Sequence, residues 1–167
     1  MPSLPGVAAV PKTKRIIIIQ KRAIRTITKS FHTAHTEPRM KKLGLLKFED
    51  LYKLDINLLA HDCLYGNAPK NIRNLTKLAQ NTSHILRNQV SKPLSLKVPN
   101  FKSRAGSHSF RQVGPTVWNI VPNEQQSISQ KVIFKRAMKK SILENYEKKA
   151  VCTNPRCKDK GNHLCTG

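Results

Sequence analysis

A chain of 167 residues that carries 31 Lys and Arg against nine Asp and Glu has to fold against its own charge. The formal surplus of +22 repels itself when the chain compacts, and it draws polyanions toward the surface. The material for a core is modest. Hydrophobic residues make up 38% of the chain, below the usual range, with one Trp, five Phe and three Tyr. These residues supply one small core and cannot fill a large one.

The surplus is distributed along the whole chain. Residues 1–42 hold ten basic residues against one acid, Glu37, residues 43–130 hold eleven against five, and residues 131–167 hold ten against three. No detachable basic tail accounts for it. A nucleic-acid backbone is the natural partner, because each phosphate neutralised releases condensed counterions. A solvated surface without a ligand is the plainer alternative. An anionic membrane surface also attracts such charge, but no Trp-bearing amphipathic helix is present to hold the chain there. Apolar runs reach only four residues, as at Ile16–Ile19, against the roughly 18 that a membrane span needs. No membrane association is therefore expected. Up to Thr36 the chain has no acid, as in a mitochondrial transit peptide, yet the whole chain is acid-poor and its start is not distinctive. A nucleic-acid binder of this kind would act in the nucleus or the cytoplasm.

Apolar spacing organises the rest. Residues 1–15 carry three prolines and a glycine without periodicity and read as an unstructured lead-in. Ile16, Ile19, Ala23, Ile24 and Ile27 fall at helical spacing, with Lys21, Arg22, Arg25 and Lys29 between them. This is a basic amphipathic helix, although the β-branched Ile16–Ile19 run equally suits a short strand. Thr36 before Glu37-Pro38 gives a helix start, and Gly44 a stop. Phe48, Leu51, Tyr52, Ile56, Leu59 and Cys63 form a stripe that Leu54 and Leu58 widen, which predicts a helix over 48–65 buried on more than one side. Residues 66–92 are polar. Leu94, Leu96 and Val98 alternate as in a short strand, and Ser103–Gly114 reads as a loop. Gly114–Pro122 is an apolar island whose Trp118 anchors the core. A last helix is expected over Ser129–Tyr146, with Ser127 and Gln130 at capping-box spacing. The expected fold is mainly α: a small helical domain whose loop-rich middle contains one or two short strands, with flexible termini.

Gln20–Arg25 (QKRAIR), Thr33–Thr36 (TAHT), Lys42–Leu45 (KLGL) and Phe48–Leu54 (FEDLYKL) occur in an order worth noting. Gly114-Pro115, Trp118-Asn119, Pro122, Phe134-Lys135 and Leu143 follow them. The ordered set resembles a block downstream of the polymerase palm in the reverse transcriptases of non-LTR (LINE-like) retrotransposons. It spans roughly Lys14 to Tyr146. Each element alone is weak; their order carries the resemblance. One departure is Ser83-His84-Ile85-Leu86-Arg87, where relatives often have a Thr-Arg pair. The resemblance implies a C-terminal fragment of an RNA-directed DNA polymerase whose palm and endonuclease parts are missing. It divides the chain into a lead-in at 1–15, a helical region like the reverse-transcriptase C-terminus at 16–146, and a basic Cys/His tail at 147–167.

The family's metal-holding Asp-Asp pair is absent from this sequence. Glu49, Asp50, Asp55 and Asp62 read instead as helix-start charge and ion-paired surface. His32, His35, His61, His84 and His108 are irregularly spaced; His35 and His61 read as structural, Ser107-His108-Ser109 as a loop, and Cys63 as a small core residue. No catalytic set is expected. In the tail, Cys152-x4-Cys157-x5-His163-x-Cys165 offers four zinc donors in chain order, and Pro155 and Gly161 permit turns. The order is similar to that of nucleic-acid-binding zinc knuckles, but the spacing is not. Zinc binding and a tail of free thiols both remain open. The expected phosphate contacts are Lys21, Arg22 and Arg25 on the first helix, with Lys135, Arg136, Lys139 and Lys140 on the last. They would grip RNA or DNA without reading sequence. Two rivals stand beside this expectation: an independent basic RNA-binding protein of ribosomal type, and a retroelement remnant with no function.

Overall fold

The computed structural model describes residues 11–79 and 94–148, which are mainly helical. The elements are α1 (Pro11–Ile27), α2 (Glu37–Lys42), α3 (Phe48–Leu64), α4 (Lys70–Arg73), α5 (Arg104–Ser107), α6 (Phe110–Trp118), α7 (Asn123–Gln126) and α8 (Lys131–Lys148). The chain divides into two compact units, Met1–Leu51 with Lys139–Gly167, and Tyr52–Met138.

In the first unit, α1 begins at Pro11, so the lead-in expected over 1–15 is corrected for residues 11–15. Proline is tolerated in a first helical turn, where its missing N–H has no intrahelical acceptor to serve. The Ile16–Ile19 run is helical, which settles the strand alternative. Ile24 is buried, but the expected apolar face is not: Ile16, Ile19, Ala23 and Ile27 are exposed. Polar bonds anchor the helix instead. The Gln20 side-chain amide donates to the Leu46 carbonyl (2.8 Å), and its oxygen accepts from the Phe48 N–H (3.1 Å). Lys29 ends α1 with φ +47°, in the left-handed region that reverses the chain, and the Ser30 N–H reaches back to the Arg25 carbonyl at 2.9 Å. Thr36 occupies the start of α2 as expected, without a side-chain capping bond. Gly44 closes the turn after it with φ +63°. Ala34, Met40 and Leu46 are buried in this unit.

The second unit is built around an aromatic cluster. Trp118 and Phe134 are fully buried with ring centres 5.7 Å apart, and the Trp118 indole N–H donates to the Leu94 carbonyl at 2.9 Å. His61 is equally buried: it stacks on Phe134 (4.7 Å) and Tyr65 (4.5 Å), and its Nε2 bonds the Ile128 carbonyl (2.8 Å). The α3 stripe is borne out in its middle and last turns and fails at its first. Ile56 and Cys63 of the stripe are buried, as are Leu54 and Leu58 that widen it, but Asn57 and His61 are buried too, Leu51 and Tyr52 are exposed, and Phe48 is only half-buried. The Leu94–Val98 strand signal survives as a single antiparallel bridge between Leu78 and Leu96.

The segment read as loop and island is largely helical, as α5 and α6. Gly114 and Pro115, which the sequence sets at the boundary of loop and island, lie inside α6. Glycine is needed there because a Cβ would meet the Phe110 ring at 2.7 Å. The Thr116 hydroxyl donates to the Gln112 carbonyl (2.8 Å) beside the donor-less Pro115. The last helix starts at Lys131, two residues later than expected. The capping box is not formed, since the Ser127 hydroxyl bonds the Glu124 carbonyl at 2.9 Å.

Candidate nucleic-acid interface

On α1, buried Ile24 turns one edge inward, which leaves Lys21 and Arg22 in solvent. Lys14 and Arg15, assigned by sequence to the lead-in, are also exposed, one heptad before Lys21 and Arg22 and so on the same faces. Sequence reasoning missed them; Pro11 as a first-turn residue was the available signal. Arg25 behaves differently. It is half-buried, and its Nε donates to the Ala34 carbonyl at 3.0 Å, tying the end of α1 to the turn that follows. On α8, Lys139 and Lys140 belong to the first unit and Lys135 and Arg136 to the second, and all four are exposed. Lys131, at the start of the same helix, is instead paired with Asp62 at 2.6 Å.

In the first unit the start of α3 is held by the Tyr146 phenol, which accepts from the Lys47 N–H (2.9 Å) and donates to Asp50 Oδ2 (2.7 Å). The Lys47 ammonium lies 4.8 Å from the Tyr146 ring centre and is paired with Glu37. Burial pushes the Tyr146 phenol above its ordinary 10.0; the Lys47 bond opposes the shift, and the bond to Asp50 and its charge add to it. Because the folded value is the higher one, the phenol's contribution to stability is complete below pH 10.0 and is lost as pH rises above it. Tyr146→Phe is expected to lower stability by about 1–2 kcal/mol at neutral pH and to lose part of the alkaline decline, measured by denaturant unfolding across pH.

The structure places four of the acids on α3. Asp50 binds Tyr146, Asp62 binds Lys131, and Asp55 is exposed. Burial raises the Cys63 thiol, while the Thr76 hydrogen bond and Arg73 work against that shift and Asp62 adds to it. Among the described residues, no three His, Cys, Asp or Glu side chains come together to hold a metal ion. Cys152, Cys157, His163 and Cys165 lie outside the described residues, as do His84 and Arg87. Among those described, no helix is long and apolar enough to cross a membrane. No family model, curated protein or solved structure matches the chain.

The described residues offer point charges on helix faces. Lysine and arginine heads in water suit phosphate oxygens, which they meet in any sequence context.

Proposed function

We propose that the chain is a non-catalytic module that binds RNA or DNA through the phosphate backbone. More particularly, it is the piece that follows the palm in a non-LTR retrotransposon reverse transcriptase, where it holds template or target strands near a reactive centre supplied by other parts of that polymerase. One observation carries the reading: Lys21, Arg22, Lys135, Arg136, Lys139 and Lys140 are all exposed. Arg25, the seventh expected contact, serves the scaffold through Ala34. The surplus of +22 supports the same partner, and the ordered likeness to the retrotransposon block supports the origin.

Binding measured by fluorescence anisotropy is expected to weaken steeply with salt. With six phosphate contacts, affinity falls by about a thousandfold between 50 and 200 mM salt. Duplexes of unrelated sequence bind equally. A flat salt response, or strong preference for one sequence, overturns the reading.

A further inference from the structure

Phosphate binding leaves one exposed feature of α1 without a role. Ile16, Ile19, Ala23 and Ile27 recur at intervals of three and four, which sets them in one line along the helix. That line stands in solvent: Ile16 is 45%, Ile19 64% and Ile27 63% exposed, against 2% for Ile24 on the neighbouring face. A phosphate backbone gains nothing from isoleucine. The line spans roughly 16 Å at 1.5 Å per residue, and Ala23 leaves a notch within it. A narrow ridge with a notch suits one helix laid along it, with a large side chain seated over the alanine. A bilayer surface calls for a broad apolar face.

Charge selects among helices. Arg15 and Arg22 are exposed on the flank of the line away from Ile24, and α1 contains no acid. A second copy laid antiparallel would bring the same cations together on that flank, and like charges there oppose pairing. Within the chain, four of the nine acids lie on α3, whose apolar residues are largely buried, and residues 1–10, 80–93 and 149–167 hold a single acid, Asp159, so none of these segments offers an acidic helix to cover the line.

We propose that the line Ile16–Ile19–Ala23–Ile27 docks an amphipathic helix of another polypeptide, with Leu or Ile along its contact edge and Asp or Glu beside it. The test uses the full chain and a labelled synthetic peptide with Leu at heptad positions a and d and Glu at e and g. Saturable binding is expected. It weakens by about tenfold or more with Ile19→Ser plus Ile27→Ser, and with a peptide of the same composition in shuffled order. Both substitutions are at exposed positions, so thermal unfolding and RNA affinity stay unchanged, which separates failure here from failure of the nucleic-acid reading. Several results overturn the proposal: no saturable binding, or equal binding of the shuffled peptide. So does a dimer that the double substitution dissolves, or stripe-dependent adsorption to phosphatidylserine vesicles.

Discussion

Replacing Lys21, Arg22, Lys135, Arg136, Lys139 and Lys140 together with Gln is expected to lower affinity for RNA and DNA more than about 100-fold near 0.1 M salt. Each phosphate contact contributes roughly 0.9 to the slope of log affinity against log salt, so the variant's slope falls by about five. The fold should survive, since these side chains stand in solvent and their removal relieves self-repulsion in a chain with a surplus of +22. Unchanged thermal unfolding beside a reduced slope therefore supports direct contact. Arg25→Gln is the informative companion. It costs stability, because the bond to the Ala34 carbonyl is lost, and it alters the slope less than Arg22→Gln. A six-residue variant that keeps both affinity and slope removes these side chains from the interface.

What the sequence could disclose follows from which forces are local. The helices α3 and α8 were legible because each repeats apolar residues over at least 17 positions, and Trp118 because one large aromatic in a small core has few places to go. Exposure of Lys and Arg was legible because ammonium and guanidinium groups are seldom buried unpaired. The buried faces were harder. On α1, counting isoleucines selects the wrong edge, because Gln20 fastens the helix through two backbone bonds to residues 26 and 28 positions later. On α3, Asn57 and His61 look polar, and the carbonyl that accepts His61 belongs to Ile128, 67 positions away. Gly114-Pro115 marked a boundary between loop and island; the Phe110 ring, which a Cβ at Gly114 would meet, lies on the same helix one turn earlier. Arg25 looked like its neighbours, and the Ala34 carbonyl that engages it exists only once the turn has formed.

Trp118→Ala carries the largest expected loss of stability. The indole is fully buried, lies 5.7 Å from Phe134 and 6.5 Å from His61, and satisfies the Leu94 carbonyl. Truncating a large buried aromatic costs about 3–5 kcal/mol, a large part of the roughly 5–15 kcal/mol that holds an ordinary domain together. Trp118→Phe keeps most of the apolar area but leaves the Leu94 carbonyl unpaired, and about 1–3 kcal/mol is expected for that alone. Denaturant unfolding measures both, and a loss below 1 kcal/mol for the alanine variant contradicts the placement of this residue in the core. Warmed past its lowered unfolding midpoint, the same variant asks whether the fold matters for binding. If the helices hold the cations in place, unfolding scatters them, and affinity drops although no charge has been removed. Undiminished RNA binding by the unfolded variant, with the same salt slope, would mean that charge density alone suffices and that the helical display of Lys21, Arg22 and the α8 residues adds nothing.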